Sequence, residues 1–594
     1  MSDHILVAVA WPYASADIHV GNITGSYLPA DIFSRYQRLA GNHVLMVSGS
    51  DSHGTPVTVK ADKEGSTPIE VYKRYHADFL TLFQKLGLTY DLFTTTHTNN
   101  HFKVAQSIFL ALKENGYLYT KVEEQWFSES QNKFLPDRYV EGTCYICGYE
   151  KARGDQCDKC GSILDAHELI NPRSKIDGAT PILKKTEHFY LDLSKLEKPI
   201  VEFLESKQDS WRSNVVRQSL GWIKAEGLRG RPITRDLDWG IPVPINGWKG
   251  KCLYVWFEAV IGYLSAAIEW SQLTNNKDAW HSWWVDHNAR TYYFIGKDNI
   301  PFHAIMWPAY LIGVEDQFEK IYEGKEGNFL NLPYDVPANE FMNLEGRKIS
   351  GSANWGVWGL DFLSRYDPDP LRYYLTINMP ESKDTDWDWA DFLARNNNEL
   401  VANWGNLANR VLSFAYKHWN GVVPTPGELR PADKEILTTI EHGFETVGNL
   451  INTIKLRPAL NETMRLSSEV NKYLDQMAPW FEIKQDKEKA AKTIYTALQA
   501  IDSLKTLFAP FLPFSSEQLH KYMGYSQPLF GIQTTEIISD ELNEHTVLRY
   551  LSEQSVGRWT PSQLLPGKPI QQPAPLFRKL DAKIVEEERA RLNK

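Results

Sequence analysis

Four of the five cysteines lie within seventeen residues and form the pattern C-x2-C-x9-C-x2-C. Glycine directly follows the second cysteine of each pair, at Gly148 and Gly161, and glycine readily adopts the positive φ of a tight turn. Two such turns can bring four thiolates to one ion in tetrahedral geometry at about 2.3 Å. The array therefore predicts one structural zinc per chain, and its four ligands are Cys144, Cys147, Cys157 and Cys160.

Two disulfides or four free thiols are the alternatives to a metal knuckle. Disulfides are disfavoured because the chain shows no export signal. The N-terminal apolar run from Ile5 to Trp11 stops at Pro12 and lacks a basic segment before it, so it predicts a buried strand. No uninterrupted apolar stretch is long enough to span a bilayer. We expect a cytoplasmic protein without membrane contacts, in which Cys252 is a buried free thiol.

The net charge of the 594-residue chain is −10, from 64 Lys and Arg against 74 Asp and Glu. This balance excludes a protein that binds nucleic acid by general electrostatic attraction, because nonspecific affinity comes from neutralising phosphates. A nucleic-acid partner must instead be bound by local patches or by base stacking. Aromatic residues make up 12% of the chain. Large hydrophobic cores would account for this content, and so would a binding surface on which bases stack against flat rings.

Short apolar runs alternate with helical periods at the start of the chain, which predicts an α/β fold with a parallel, Rossmann-type sheet. The strands expected there are Ile5–Ala10, Val44–Ser48 and, after an interruption, Tyr292–Ile295. The interruption carries the cysteines, so the sheet is expected to be split by a zinc-knuckle insertion. After Trp389 the pattern is helical throughout, which predicts an all-α helical bundle.

The expected domains divide the chain into six parts. They are the first half of the Rossmann-type domain (1–116), the inserted connective domain (117–235), the second half of the Rossmann-type domain (236–325), a loop region (326–389), the helical domain (390–555) and a C-terminal linker with a helix (556–594).

The first motif with chemical content directly follows the first strand and opens the first helix. It reads His19-Val20-Gly21-Asn22. At a helix N-terminus the backbone N–H groups and the positive end of the helix dipole attract phosphate. Gly21 allows close approach, while His19 and Asn22 can donate hydrogen bonds to charge that develops on phosphoryl oxygens.

A second motif, residues 345–352, reads Glu-Gly-Arg-Lys-Ile-Ser-Gly-Ser. Small residues interleaved with cations are typical of a mobile loop that closes over a triphosphate. A solvated basic loop would have the same composition. The order and spacing of the two motifs, more than three hundred residues apart, make the pair more specific than either one.

Together the two motifs resemble the HIGH and KMSKS signatures of the class I aminoacyl-tRNA synthetases. Further stretches are similar to the methionyl-tRNA synthetases within that class, and the resemblance extends from Ile5 to about Leu551. These stretches are Ala10–Tyr13, Gly49–Thr55, Tyr254–Glu258, Ile295–Asn299, Asn403–Arg410 and Ala478–Trp480.

The resemblance implies an enzyme that joins L-methionine to ATP, with Mg2+, and transfers the methionyl group to the 3′ end of tRNA(Met). His19, Asn22 and Lys348 would be catalytic. The expected ATP-binding residues are His19, Gly21, Asn22, Gly296, Asp298, Lys348, Ser350, Gly351 and Ser352. The expected methionine-binding residues are Ala10, Trp11, Tyr13, Asp51, Arg235, Trp256, Val260, Tyr263, Asn299 and His303. Asp51 would pair with the substrate ammonium and be held by Arg235, and aromatic edges suit a polarisable thioether.

The chain departs from the family signatures at two positions. Asn22 stands where the family usually has histidine, and it keeps a hydrogen-bond donor. Gly351 replaces the second lysine of the KMSKS pattern, which is expected to neutralise ATP phosphates. Lys348, Arg347 or Lys297 could supply the missing charge.

For tRNA, the resemblance implies that the helical domain reads the anticodon through Asn406, Arg410 and Trp480. Trp480 would stack on a splayed base, a mode that does not need a strongly basic surface. The competing interpretation of Trp480 is a core residue at a helix start. No oligomerisation module is recognisable beyond Leu551, and we expect a monomer.

Three other assignments fit the sequence less well. A synthetase for leucine, isoleucine or valine would need a larger editing insertion than this chain holds. A cysteinyl enzyme is disfavoured because the four thiolates leave no open metal position. The alternative from another class is a catalytically silent tRNA-binding paralogue, which the loss of the lysine at Gly351 would allow.

Overall fold

The fold is known from a computed structural model, which describes residues 2–136, 139–154, 157, 159–160, 164, 168–351 and 354–592. Ser352, expected to bind ATP, and Gly161, expected in the second cysteine turn, lie outside the described residues. Among the described helices, none combines the length and the apolarity that a bilayer crossing requires.

In the described part of the chain, the largest sheet has seven strands. Their spatial order is Ala338–Asn339, Arg290–Gly296, His4–Val9, His43–Ser50, Leu92–Thr95, Glu544–Leu551 and Ile532–Ser539. The first five are parallel. Because both faces of this sheet are covered by helices, its central strands are continuous runs of buried residues.

The chain order reverses beside the first strand, His4–Val9. Its neighbours are the second strand on one side and Arg290–Gly296, reached after the insertion, on the other. In open α/β sheets, ligands bind outside the carboxyl ends of the strands at such a reversal. The sheet topology therefore predicts a ligand-binding site formed by the residues after Val9 and after Gly296.

Helices cover this sheet on both faces. In its first half they are Val20–Asn22, Ile23–Tyr27 (a π-helical turn), Leu28–Leu39, Thr55–Glu64, Pro68–Leu86 and Asn99–Glu114. In its second half they are Val255–Glu258, Ala259–Ile261, Gly262–Leu273, His281–Trp284, Lys297–Asn299, Phe302–Met306, Trp307–Val314 and Gln317–Glu323.

Between these halves, two small antiparallel sheets and two helices form the insertion. The larger sheet contains Arg231–Pro232, Ile182–Leu191, Leu118–Ser128 and Lys133–Phe134, and the smaller contains Ala152–Arg153, Val140–Thr143 and Ile170–Ser174. The helices are Glu197–Ser206 and Ser213–Glu226, preceded by the turn Leu193–Leu196. The smaller sheet carries the cysteines and has its own apolar cluster.

Past the sheet, the chain forms a short connecting region and a helical bundle. The connecting region contains the paired strands Met342–Leu344 and Thr385–Trp387 and the helices Gly359–Leu363 and Pro368–Ile377. The pair Thr234–Arg235 with Cys252–Leu253 lies earlier in the chain, between the insertion and the second half of the sheet. The later helices are Trp389–Arg395, Asn396–Gly405, Asn406–His418, Pro431–Asn452, Leu456–Met477, Pro479–Glu482, Lys487–Phe508, Pro513–Tyr522 and Ile584–Arg589. The expected apolar stripe is buried at Leu400, Trp404, Leu407 and Val411.

The expectation that residues 390–555 are entirely helical is wrong at 532–551. These residues form an antiparallel hairpin, and its second strand pairs with Leu92–Thr95 of the central sheet through Leu548 and Phe93. The hairpin thus extends the catalytic sheet although it follows the helical bundle in sequence. Val547 and Leu548 are buried in the cores on the two faces of that sheet.

Arg372 joins the helical bundle to the catalytic sheet. Its fully buried guanidinium donates to the Asp31 carboxylate at 2.7 Å and to the backbone oxygens of Pro510 and Phe511, each at 2.9 Å. Buried charges are stable only when paired and hydrogen-bonded, so this junction fixes one arrangement of the two parts.

Candidate active site

The first motif lies at the carboxyl edge of the sheet, where the topology predicts a ligand. His19 is the N-cap of the first helix: its Nδ1 accepts from the backbone N–H of Asn22 at 3.3 Å, and Asn22 Oδ1 accepts from the N–H of His19 at 3.1 Å. This reciprocal capping closes the first helical turn. It also fixes the orientation of the His19 ring at the start of the helix.

The His19 imidazole is neutral at physiological pH. Burial of the ring lowers the pKa of His19 to about 4. Because Nδ1 accepts a hydrogen bond, the single ring proton belongs on Nε2. His19 therefore presents one N–H donor and no positive charge. A Cβ on Gly21 would come within 3.0 Å of the His19 ring, so only glycine leaves this surface open.

The second motif folds into a turn against the first. Ser350 exchanges backbone hydrogen bonds with Trp355 at 2.8 and 2.9 Å. Beyond it, backbone bonds from Val20 to Val357 and from Gly359 to Ile18, both 2.9 Å, join this segment to the motif around His19. Gly21 and Ile349 also lie close together, since a Cβ on Gly21 would stand 3.4 Å from Ile349 Cδ1. Two motifs far apart in sequence are thus neighbours.

Three cations near this turn have different environments. Lys297 Nζ is paired at 2.7 Å with both Glu340 and Asp384. The Arg347 guanidinium lies 4.2 Å from the centroid of the Trp355 ring. Lys348 interacts by charge with Asp298 and lies 5.4 Å from the Phe341 ring centroid; among the described residues it has no carboxylate ion pair.

Trp11 occupies a slot in the floor of the site. A Cβ on Gly49 would fall 2.1 Å from the Trp11 ring, and one on Gly262 would fall 2.7 Å from it, so both positions require glycine. The edge of Trp11 meets Tyr263, with ring centroids 6.4 Å apart. The two glycines, which have no side chains, therefore leave the space on both sides of the indole that the Trp11 ring occupies.

Tyr263 and His303 are hydrogen-bonded to each other. The Tyr263 hydroxyl lies 2.7 Å from His303 Nε2, and His303 Nδ1 lies 3.0 Å from the backbone oxygen of Asn299. That oxygen can only accept, so His303 carries its proton on Nδ1 and accepts from Tyr263 through Nε2. Burial lowers the pKa of His303 to about 4, which keeps it neutral. Val260 is buried in the turn just before Tyr263.

Tyr13 and Trp256 form the opposite wall, packed edge to face with centroids 5.7 Å apart. Trp256 also stacks on Phe302 at 4.2 Å. Behind them lies a cavity of about 350 Å³, lined mainly by apolar and aromatic side chains, with two arginines. Arg235 is one of the two, and its guanidinium lies 3.8 Å from the Tyr254 ring centroid.

Asp51 lies at the carboxyl end of the second strand, directly beside Tyr13. Backbone bonds from Asp51 to Pro12 (2.8 Å) and from Ala14 to Asp51 (2.9 Å) hold the two strand ends together. Asp51 is 3% exposed, and its Oδ1 has no hydrogen-bond partner among the described residues. The expectation that Arg235 holds Asp51 is wrong: in the described part of the chain no ion pair joins them, because Arg235 lies over Tyr254 instead.

Two regions of the sequence match family descriptions. Residues 5–412 match "tRNA synthetases class I (M)", and residues 423–549 match "Anticodon binding domain of methionyl tRNA ligase". A methionine–tRNA ligase of Thermomicrobium roseum is 53% identical over 594 residues, covering 100% of this chain and 99% of that protein. One of a Roseiflexus species is 53% identical over 604 residues with the same coverage.

The chain belongs to the methionine–tRNA ligase family. The family's fold is also present in solved structures. The Mycobacterium tuberculosis methionyl-tRNA synthetase bound by methionyl-adenylate has a TM-score of 0.73 and 21% identity, covering 97% of this chain and 100% of that one. The free-state structure of the same enzyme has a TM-score of 0.66 and 20% identity.

The cysteine array of this ligase converges as its spacing predicts. All four Sγ atoms lie within 4.8 Å of one another; the Cys144–Cys160 distance is 4.0 Å and the Cys147–Cys157 distance is 3.6 Å. A tetrahedron of sulfurs about 2.3 Å from an ion has edges of about 3.8 Å, so the donors fit a metal. Gly148 has φ +71°, as a tight turn requires.

On the helical bundle of the ligase, two of the expected anticodon residues are in contact. The Arg410 guanidinium lies 4.5 Å from the Trp480 ring centroid and donates to Asn471 Oδ1 at 3.2 Å. Asn406 is exposed one turn earlier on the Arg410 helix. Trp480 is half-buried beside Pro479, which follows Ala478 in the left-handed conformation at φ +42°.

Sequence reasoning overlooked a group of buried titratable residues beneath Asp51. They are His53, His97, His101 and Glu258. His53 and Glu258 fall within stretches that resemble the family, but nothing local to either distinguishes a polar network from a core position. One sequence signal could have indicated the network. His53 and His97 follow apolar strands, and polar side chains that become buried at such positions are usually hydrogen-bonded to one another or to the backbone.

Proposed function

We propose that this protein activates L-methionine with ATP to form methionyl-adenylate and then transfers the methionyl group to tRNA(Met), at the site described above. The contact between the two distant motifs at Gly21 and Ile349, beside an aromatic pocket, is the observation that carries the proposal. A binding protein has no need to bring phosphate donors, a cationic loop and an amino-acid pocket to one edge of a sheet.

Methionine binds with its side chain among aromatic rings and its ammonium on Asp51. Trp11, Tyr13, Trp256 and Tyr263 present ring edges that attract a polarisable sulfur. The unpartnered Asp51 oxygen accepts the ammonium. The neutral Tyr263–His303 pair lies at this pocket without adding charge. Ala10, Val260 and Asn299 complete the lining, and Arg235 contributes to the neighbouring cavity rather than to Asp51.

ATP, with its Mg2+, binds over the first helical turn. His19 donates through Nε2 to a phosphoryl oxygen, and its benefit is greatest in the transition state, where charge is redistributed. Gly21, Asn22, Gly296, Asp298, Ser350 and Gly351 form the surrounding surface, and Ser352 is assigned from the motif alone. Lys348 supplies the mobile charge, because Lys297 is already neutralised by two carboxylates.

The four thiolates hold one structural zinc ion. Bound zinc would cross-link the two turns of the insertion, which has little apolar core of its own. We also assign the helical bundle to anticodon recognition, with Trp480 as a stacking surface and Asn406 and Arg410 as hydrogen-bond donors. The proposed domain limits are those expected from the sequence, except that residues 532–551 belong to the catalytic sheet.

ATP–pyrophosphate exchange tests the proposal directly. We expect exchange that depends on L-methionine and is much weaker with L-leucine or L-valine. Asp51→Asn should raise the KM for methionine roughly hundredfold, since losing one partner of a buried charge pair costs about 3 kcal/mol, while the KM for ATP stays near the parent value. Absence of exchange together with retained tRNA(Met) binding would instead favour the silent paralogue that Gly351 suggested.

A further inference from the structure

Two buried carboxyl groups lie at the proposed ammonium site: Asp51, which would bind the ammonium, and Glu258. Glu258 is 0% exposed and Asp51 is 3% exposed. They come from different elements, the end of the second strand and the helix Val255–Glu258. Two carboxyl groups in a dry region cannot both ionise cheaply unless positive charge compensates them.

Two imidazoles of this region bind Glu258, whereas the Asp51 carboxyl accepts the backbone N–H of His53, which opposes the rise in its pKa. His53 Nδ1 lies 2.8 Å from its Oε1, and His101 Nε2 lies 2.9 Å from its Oε2. His53 is supported by His97 Nδ1 at 3.0 Å from its Nε2, and His101 by the Ser265 hydroxyl at 2.7 Å. In the part of the chain that the structure describes, the Asp51 Oδ1 has no hydrogen-bond partner.

These histidines stabilise the Glu258 carboxylate by hydrogen bonding, but they carry no positive charge that would neutralise it. Burial lowers the pKa of His53 and of His97 to about 3, and it also lowers the pKa of His101. They are therefore neutral donors at physiological pH. Burial, and then the charge of Glu258, raises the pKa of Asp51 well above its usual value. The pKa of Glu258 is raised by burial, and the His101 hydrogen bond opposes that rise.

We propose that Glu258 is a positioning residue for the methionine site: its buried charge makes Asp51 hold a proton in the free enzyme, and the incoming ammonium displaces that proton into solution. The inference rests on the proposed function, since it requires the ammonium on Asp51. The proton count balances, because Asp51 changes from a carboxylic acid to a carboxylate while the substrate remains an ammonium.

This arrangement gives methionine binding a defined pH dependence. A carboxyl group with a raised pKa is protonated below that pKa, so binding weakens as pH falls, by up to tenfold per pH unit for one displaced proton. Other charged or titratable groups also face this region from the surrounding elements. They are Cys252 beside Glu258, Tyr263 near Asp51, and Lys73, Asp540 and His545 around His97.

Calorimetric titration of the full-length protein with L-methionine, in buffers of different ionisation enthalpy, measures the protons released. At about pH 6, where an ordinary carboxyl with a pKa near 4 is already ionised, we expect the parent to release a substantial fraction of one proton. Glu258→Gln removes the charge and should reduce this release at least twofold. The acid limb of the methionine KM should also move to lower pH by about one unit.

Glu269→Gln is the matched control. Glu269 is likewise buried and bound to a histidine, with its Oε1 3.0 Å from His545 Nε2, but its charge is not among those acting on Asp51. Its proton release and acid limb should equal those of the parent. Glu258→Asp keeps the charge and should retain proton release, which separates loss of charge from loss of shape.

The parent measurement alone can overturn the inference, whatever the variants do. Methionine binding without proton release would contradict it and leave the proposed function standing. Equal proton release by the parent and Glu258→Gln would also contradict it. Failure of the parent to bind methionine would overturn the proposed function, and this inference with it.

Discussion

At the residue scale, His19 is a neutral hydrogen-bond donor whose ring proton has a defined location. It is neutral, because burial lowers the pKa of His19 to about 4, and its proton has a defined location on Nε2, because Nδ1 caps the helix. A neutral donor keeps the same protonation state across the physiological range. In its proposed role, His19 would therefore assist phosphoryl chemistry without holding the triphosphate as tightly as a cation would.

His19→Ala should slow adenylate formation roughly a hundredfold, because removing one preorganised donor of this kind costs about 3 kcal/mol in the transition state. The dissociation constant for methionine should stay near the parent value, and the loss should be constant between about pH 6 and pH 8, where His19 does not titrate. Exchange rates and calorimetry measure these quantities. His287→Ala, at an exposed histidine before the strand Arg290–Gly296, is the control. An unchanged rate in His19→Ala would refute the role.

Sequence patterns predicted residues well where the relevant contact is local. The motif at His19 opens a helix after the first strand as predicted, and the four cysteines, which span seventeen residues, converge as their spacing predicts. The Arg235–Asp51 pair was wrong because it depends on where a long side chain turns in three dimensions. Arg235 lies over the Tyr254 ring, and no local pattern distinguishes that packing from an ion pair with Asp51.

At the element scale, the turn after Leu344 is the part of the site most affected by the missing lysine. Gly351 does not have a positive φ, and among the described residues a Cβ there would meet only Trp358, at 3.8 Å. A larger side chain is therefore compatible with the described backbone. The backbone at this position leaves room for a lysine, so the missing charge can be restored by substitution.

Lys348→Ala should lower the exchange rate at least tenfold, equivalent to about 1.4 kcal/mol of barrier. Gly351→Lys should partly restore the rate in the double variant, because both ammonium groups act as mobile point charges on one triphosphate. Pre-steady-state adenylate formation in the parent, single and double variants measures this. Lys325→Ala, which removes a surface lysine paired with Asp278, is the control. If Lys348→Ala reacts at the parent rate, the charge lies elsewhere.

The cysteine knuckle is a second element that can be tested alone. Metal analysis should find one zinc per chain in the parent and none when Cys144→Ala and Cys157→Ala are combined, since two ligands cannot close a tetrahedral site. Cys252→Ala should retain the zinc, because its Sγ donates to the Leu237 backbone oxygen and belongs to no cluster among the described residues. Chelation should reduce activity indirectly, by unfolding the insertion. Zinc retained in the double variant would contradict the assignment.

At the scale of the whole molecule, the catalytic sheet is completed from the far end of the chain. Leu548 pairs with Phe93 across more than four hundred residues, and the hairpin turn also reaches the site floor, where Asn543 donates to the His97 backbone oxygen at 2.7 Å. The helical periodicity before and after 532–551 gave no reason to expect a strand there. Periodicity reports local conformation and not the partner with which a strand pairs.

Because the hairpin is part of the sheet, damage to it should destabilise the catalytic region as well as the bundle. Leu548→Ala should lower the free energy of unfolding by about 2–5 kcal/mol, since Leu548 is 0% exposed and its removal leaves a cavity. Ile537→Ala, on the other strand of the same hairpin and 64% exposed, should change it little.

Thermal inactivation of methionine-dependent exchange, followed together with circular dichroism, reports both regions. We expect Leu548→Ala to lower both midpoints. Inactivation at the parent temperature, with only the helical signal melting earlier, would show that the catalytic sheet is stable without the hairpin.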